Sequence, residues 1–314
     1  MATDRLGQSA AEATRGRAYS RYATAYHRWW APIIAPAGRR LLDDVAAPLE
    51  SAGTHAHLID IGTGTGTLAL AALQRWPACR VTGVDLAPGM LAVAGREARQ
   101  LGARTMSRLA LLEGAAAHVP LPDRSADAVV SSFVVQLVPN RAAAAREAYR
   151  LLRPGGRYAV LSWRAGAFSF PPYLAFERAL EDVGLDATVS RRQRPYRSAP
   201  AAAAELRRAG FRRVRGQIVT LAHRFAADTY LAVLEGWLEN ELFEALDDPR
   251  RERLRDATAK RLAQVPRPDF VWRRPLVSVV GDRPGERRRS LGHSRSKHSG
   301  EPAMHVSKCS NQLS

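Results

Sequence analysis

The stretch LIDIGTGTGTLAL (58–70) decides the fold. An apolar run over 57–61 carries Asp60 near its end, meets Gly62, Gly64 and Gly66, and gives way to an Ala/Leu-rich helical pattern. That order predicts a strand, a tight turn and a helix over 66–75. A short apolar run suits a parallel strand buried on both faces. Glycines at its end let the backbone turn sharply and approach a ligand with no side chain between. The amides at the following helix start would face that ligand. The dinucleotide fingerprint G-x-G-x-x-G would need its third glycine where the chain has Thr67, so the spacing disfavours a NAD-linked enzyme. Asp60 argues the same way, because a carboxylate at the strand end suits a cationic ligand and repels a pyrophosphate.

Downstream, a second strand over 80–84 ends at Asp85, 23 residues beyond Gly62. From there a carboxylate can accept hydrogen bonds from both hydroxyls of a ribose. Pro88 opens a helix whose apolar face is Leu91, Ala94, Ala98 and Leu101, and Gly102 ends it. A third strand is expected over 108–112 and a fourth over 128–133. Asn140 caps a helix over 141–152, and Arg153-Pro154-Gly155-Gly156 turns the chain into a fifth strand over 158–163.

Four ordered motifs over 58–156 resemble those of class I S-adenosylmethionine (SAM) dependent methyltransferases. They are the glycine turn behind Asp60, the DLAPGML run (85–91), the VPLPD loop (119–123) and RLLRPGG (150–156) before a strand. The group most similar is the small-molecule methyltransferases of ubiquinone and menaquinone biosynthesis. The resemblance implies an α/β fold: a doubly wound, seven-stranded, mostly parallel Rossmann-like sheet in the order 3-2-1-4-5-7-6, with helical inserts over the carboxyl ends of the strands. It implies SAM as cofactor, lying across Gly62, Thr63, Gly64 and Gly66, its amino group near Asp60 and its ribose on Asp85. Leu86, Met90, Ala115, Ala116, Ser132, Phe133 and Tyr26 complete the expected cofactor set. One departure stands out: the family's acidic residue that accepts a bond from the adenine amino group is Ala115 here. The Ala116 amide could still reach the ring, so the loss weakens adenine binding by about 0.5–1.5 kcal/mol, or up to about 3 for a charged acceptor.

The rest of the chain bounds the alternatives. A net charge of +17 would raise nucleic acid as a partner, but the basic residues are dispersed and only Lys260, Lys297 and Lys308 are lysines. An amino methyltransferase of nucleic acids would need Asn/Asp-Pro-Pro-Tyr/Phe after strand four, where the chain has Ser131-Ser132-Phe133. Phe170-Pro171-Pro172-Tyr173 falls after strand five and reads as a helix start. The expected partner is therefore a small-molecule methyl acceptor, with a non-catalytic SAM-binding scaffold as the alternative. Cys79 and Cys309 provide neither a disulfide framework nor a metal motif, and no apolar leader or ~20-residue apolar span is visible, so a cytoplasmic protein is expected.

Residues 1–14 read as disordered, 15–281 as the methyltransferase domain and 282–314 as a basic disordered tail. Within the domain the cofactor core is expected over about 55–165, and the resemblance places the substrate cavity in inserts over about 166–200 and 225–268. Tyr19, Tyr22, Tyr26 and Trp29 or Trp30 recur at helical spacing up to Pro32, an aromatic stripe that either packs on the domain or covers the cofactor as a lid. Further helices are expected over 37–49 and 249–264, and strands over 212–221 and 274–281. No catalytic residue is assigned. His27 and His118 lie near site segments without a role, and Gln136 is a candidate substrate contact.

Overall fold

The computed structural model describes residues 2–185 and 193–285, and the side chains from residue 10 onward. Seven strands, β1 (His57–Ile61), β2 (Arg80–Asp85), β3 (Leu109–Glu113), β4 (Ala126–Ser132), β5 (Leu152–Trp163), β6 (Arg212–Arg224) and β7 (Val271–Asp282), form one sheet. Its order is β3-β2-β1-β4-β5-β7-β6, with β7 antiparallel to both neighbours and the first five strands parallel. This is the order the resemblance implies.

The central strands are apolar throughout because each face carries its own core. Leu58, Ala128, Val130, Ala159 and Leu161 pack on one side, while Ile59, Ile61, Val129, Val160 and Val277 pack on the other. Alternation at the strand period of two sends consecutive residues to opposite faces, and helices bury both. Strand order reverses at β1, which pairs with β2 on one side and β4 on the other. The crevice above that reversal is where open α/β sheets take their ligands.

At the far edge, β6 is the longest strand, with 13 residues, and it is solvent-exposed along most of its length. Arg212, Arg213, Arg215 and Arg224 punctuate it, the charge pattern of an edge strand. Above the carboxyl ends of the strands, two inserts form a separate apolar cluster around Phe176, Tyr230, Phe243 and Phe270. The helices Pro171–Asp182 and Asp248–Ala263 pack together there.

Several boundaries differ from those the sequence predicts. The N-terminal stretch read as disordered is helical, within a helix Ala2–Arg21. Its alanine-rich composition favours helix, and its second half is seated on the domain. A Cβ on Gly89 would lie 2.5 Å from the Ser20 carbonyl oxygen and one on Gly16 2.9 Å from that of Leu86. Only glycine allows that approach. Pro32 does not close the aromatic helix; it occupies the first turn of a continuing segment, Ala31–Arg39, where its missing N–H costs nothing. Phe133, expected within strand four, falls just past its end with φ 57°.

The sheet also runs past Gly281. Asp282 is buried at 4% exposure and accepts bonds from Arg157 (2.5 Å) and Arg213 (2.8 Å). Arg283 donates to the carbonyls of Tyr149 and Leu152, both at 2.7 Å. Residues 286–314, the bulk of the expected tail, lie outside the described residues. Burial pushes the Asp282 carboxyl up, but the bonds and charges of the two arginines outweigh it and hold it below the usual range. The stability it contributes is present above the ordinary carboxylate pKa and is lost as pH falls through the depressed one. A chain ending at Gly281 should lose about 2–3 kcal/mol, a drop in melting temperature of roughly 4–12 °C. A chain ending at Gly285 should melt with the full protein. Thermal melts of the two check this, and equal midpoints would mean that the Asp282 cluster contributes nothing.

Candidate functional site

The site begins at the turn after β1. The Gly62 and Thr63 amides donate to the Val84 carbonyl at 2.7 and 2.9 Å, pinning the turn to β2. Gly62 has φ 73°, and a Cβ there would come within 2.1 Å of Val134, so no other residue fits. Gly64, at φ 55°, faces the Tyr26 ring, which a Cβ would meet at 3.8 Å. Gly64 donates to one oxygen of Asp85 at 2.8 Å, and Ala87 donates to the other at 2.9 Å. A carboxylate offers about four acceptor positions, so the side chain that braces the turn still has two for a ligand.

A cavity of about 520 Å³ opens over this turn at the carboxyl edge of the sheet. The predicted residues reach it from five segments. Gly62 and Gly64 come from the turn, Asp85, Leu86 and Met90 follow β2, Ala115 and Ala116 follow β3, Ser132 and Phe133 close β4, and Tyr26 descends from the N-terminal helical layer. Asp60 and Thr63 open instead on a side pocket of about 40 Å³ that shares Tyr26, Ile34, Gly62 and Ser132 with the main cavity. Gly66 lines neither; it starts the helix Thr67–Arg75, and a Cβ there would press Ala94 at 3.0 Å. Its role in the structure is helix packing.

Both acidic groups sit in low-dielectric surroundings. Burial pushes the Asp60 carboxyl up to about 7, against the Thr63 hydroxyl that donates to it at 2.9 Å, and the nearby charge of Asp85 adds to the rise. Burial likewise raises Asp85, opposed by its bonds from backbone amides. Burial drives the Tyr26 phenol far above its ordinary value, so it stays protonated. Two raised carboxylates beside a glycine turn form a site that gains from a cation, because a positive ligand restores their ionised forms. The backbone cradle at Gly64, the ribose-ready oxygens of Asp85 and the anionic pocket at Asp60 fit the shape and charge of SAM. The adenine end is the exception, where Ala115 brings no acceptor side chain.

The opposite half of the cavity is aromatic. Phe133 and Trp163 have ring centroids 4.5 Å apart, and Trp272 lies 5.7 Å from Trp163 and 5.6 Å from Trp30. Phe168, Phe170 and Phe225 extend the wall. Phe133 has a left-handed backbone, φ 57°, and such strain concentrates at ligand sites. Gln136 lines the cavity but is engaged at both ends, donating to the Phe133 carbonyl at 2.6 Å and accepting from Ser162 at 2.8 Å. It braces the wall rather than offering a free contact. His27 sits 3.5 Å from Glu97, and neither His27 nor His118 reaches the cavity.

The roof joins the two ends of the chain. Residues Tyr26–Trp30 and Leu234–Leu238 are both π-helical, a widening common where helices meet functional sites. Trp29 lies over Gly236, where a Cβ would clash at 2.4 Å, and Tyr26 meets Trp237 edge-on at 5.1 Å. Arg21 and Tyr22 both bond Glu244, at 2.7 and 2.8 Å.

Sequence reasoning missed Trp163, Trp272, Phe225 and Arg274 as wall residues. One signal was available: in an antiparallel strand the amino end, not the carboxyl end, lies at the ligand edge, which brings the start of β7 to the site.

Comparison with known proteins agrees with this geometry. A family model for a methyltransferase domain matches residues 59–160. The demethylmenaquinone methyltransferase of Thermus thermophilus is 38% identical over 130 residues, covering 40% of this chain and 57% of that protein. The aklanonic acid methyltransferase DauC of a Streptomyces species is 34% identical over 161 residues, covering 50% of this chain and 69% of that protein. The chain spans about half the length of the first curated relatives it matches, 57%, 41% and 53%. Among solved structures, the [4+2]-cyclase SpnF superposes with a TM-score of 0.52 at 21% identity, covering 79% of this chain and 82% of that one, a likeness of fold. No helix among the described residues is long and apolar enough to cross a membrane.

The raised Asp60 gives a prediction for the ligand-free protein. Its stabilising protonated form is complete below the ordinary carboxylate pKa near 3.8 and is lost as pH rises through about 7. Asp60→Asn should therefore raise unfolding stability by about 2–4 kcal/mol at pH 8 and change it little at pH 4. Urea melts at both pH values check this; a gain equal at both would mean that charge burial is not the cause.

Proposed function

The chain belongs to the family of S-adenosylmethionine-dependent methyltransferases, and we propose that it transfers a methyl group to a small aromatic acceptor bound beside the cofactor. The observation that carries this reading is one continuous cavity with the glycine turn and Asp85 at one end and an aromatic wall at the other, with Asp60 in a side pocket adjoining the turn. Cofactor and acceptor would share one enclosed space, as in-line transfer requires.

When bound, SAM would supply an electrophilic methyl on a sulfonium, with neutral thioether as the leaving group. Everything else falls to the chain. Gly62 and Gly64 would admit the cofactor against the backbone, Asp85 would hold the ribose and Asp60 the cationic amino group. The rings of Phe133, Trp163 and Trp272 orient the acceptor and exclude water. Positive charge disappears in the transition state, so a dry apolar wall favours the step, and alignment of two reactants alone can contribute roughly 7–11 kcal/mol. No described side chain is assigned as general base, which suits an acceptor that arrives already ionised or carbanion-like.

A nucleic-acid substrate is disfavoured, because the Ser131 hydroxyl where that class keeps a polar anchor is spent on the Ile61 carbonyl at 3.0 Å. Phe170 and the two prolines after it form the start of the helix Pro171–Asp182. A reducing cytoplasm fits Cys79, which is buried with a free thiol.

Calorimetry with SAM tests the assignment. Asp85→Ala removes charge-assisted bonds worth roughly 1.5–3 kcal/mol each, so affinity should fall by about one to four powers of ten. Ala115→Asp should tighten binding several-fold by returning an acceptor to the adenine edge. A silent Asp85→Ala together with lost binding in Ala115→Asp would mean that the cofactor lies elsewhere.

A further inference from the structure

Arg274 lies near the start of β7, opposite Leu221 of β6, and its side chain lines the aromatic half of the cavity. Its guanidinium sits over the Phe168 ring at 4.4 Å and faces Trp163 at 5.6 Å. Among the described residues it makes no ion pair and no hydrogen bond, and its Nε is buried without a partner. Other partly buried arginines are matched: Arg150 pairs with Glu147 and Asp123, Arg157 with Asp282, and Arg255 with Glu235. Arg274 differs from these, and it lies on the aromatic wall of the cavity; Arg15, which also lines the cavity, donates to the Leu137 carbonyl.

A cation drawn out of water and left without an anion is costly unless something supplies the anion. Stacking on Phe168 and Trp163 offsets part of that cost through the ring faces and fixes the guanidinium plane. The in-plane N–H donors are not used by the stacking. A rigid, planar, unsatisfied donor fork beside aromatic walls matches a carboxylate attached to a flat ring system.

Building on the proposed methyl transfer, we propose that the acceptor is a planar aromatic carboxylate whose anionic group is bound by Arg274 while its ring lies against Trp163 and Trp272. Burial lowers the pKa of Arg274 from its ordinary value, as expected of a cation poorly hydrated before its ligand arrives. Arg274 is then a specificity residue: it decides which acceptors enter and where the ring is held, without touching the cofactor end.

The probes are 2-naphthoate and its neutral isostere 2-naphthamide, titrated calorimetrically into the full-length protein and into Arg274→Met and Arg274→Lys. The wild type should bind the carboxylate about ten- to a hundredfold more tightly than the amide. Arg274→Met should erase that preference while leaving amide binding within a few-fold, and Arg274→Lys should keep part of it. The ratio of the two affinities is the readout, because a merely structural loss would lower both together. A wild type that binds naphthoate no more tightly than naphthamide, or a preference that survives in Arg274→Met, overturns the proposal. SAM titrated into the same three proteins reports separately: failure of SAM to bind the wild type would overturn the methyltransferase reading, whatever the naphthoate result.

Discussion

One carboxylate, that of Asp85, ties together the pieces that make the cavity. It accepts the Gly64 amide from the turn after β1 and the Ala87 amide from the segment after β2, so two loops from adjacent strands share a single acceptor. Ala87 in turn precedes the helix Pro88–Gln100, on whose first residues the N-terminal helix rests through Ser20 and Gly89. The floor and the roof are thus registered against one another through the same acidic group that lines the cavity. Burial raises its pKa despite the backbone amides that bond it, the mark of a buried charge short of a cation.

The opposing end is built by different physics. Ring packing orders most of the aromatic wall, with Trp30, Trp163 and Trp272 drawn from three distant parts of the chain and Gln136 bracing it from one side. Such walls tolerate variation in shape while still excluding water, which suits a fold that keeps its cofactor end and varies its acceptor end. Arg274 is the cation within that wall, and a cation without a counter-ion in an apolar lining confers selectivity more than stability.

The sequence was legible where function is written locally. The glycine turn and Asp85 follow from spacing within about 100 residues, the strand order from the family resemblance those motifs carry, and the turn, Asp85 and the order stand in the fold as expected. What escaped notice depends on partners far away in the chain. That Gly66 packs on Ala94, that Asp60 opens on a separate pocket, and that Phe133 leaves the strand with positive φ are all set by neighbours, not by motif. Asp282 shows the same limit. Composition alone assigned it to a tail, yet Arg157, 125 residues upstream, and Arg213 fix it in the sheet. The N-terminal helix was misread because low hydrophobicity suggests disorder, whereas two glycines at a close crossing hold its second half in place.

The exposed edge formed by β6 has a consequence for the behaviour of the protein in solution. A strand of 13 residues that pairs on one side only among the described residues is a template for pairing with another sheet. Its arginines make that pairing self-defeating, since a second copy docking edge to edge would bring like charges into line. The net charge of +17 reinforces the repulsion over the whole surface. Protection of this kind is electrostatic rather than steric, so its reach shrinks with the Debye length, from about 10 Å at 0.1 M salt to about 3 Å at 1 M. Colloidal solubility of this methyltransferase is therefore tied to ionic strength, and concentrated salt exposes an edge that dilute buffer conceals.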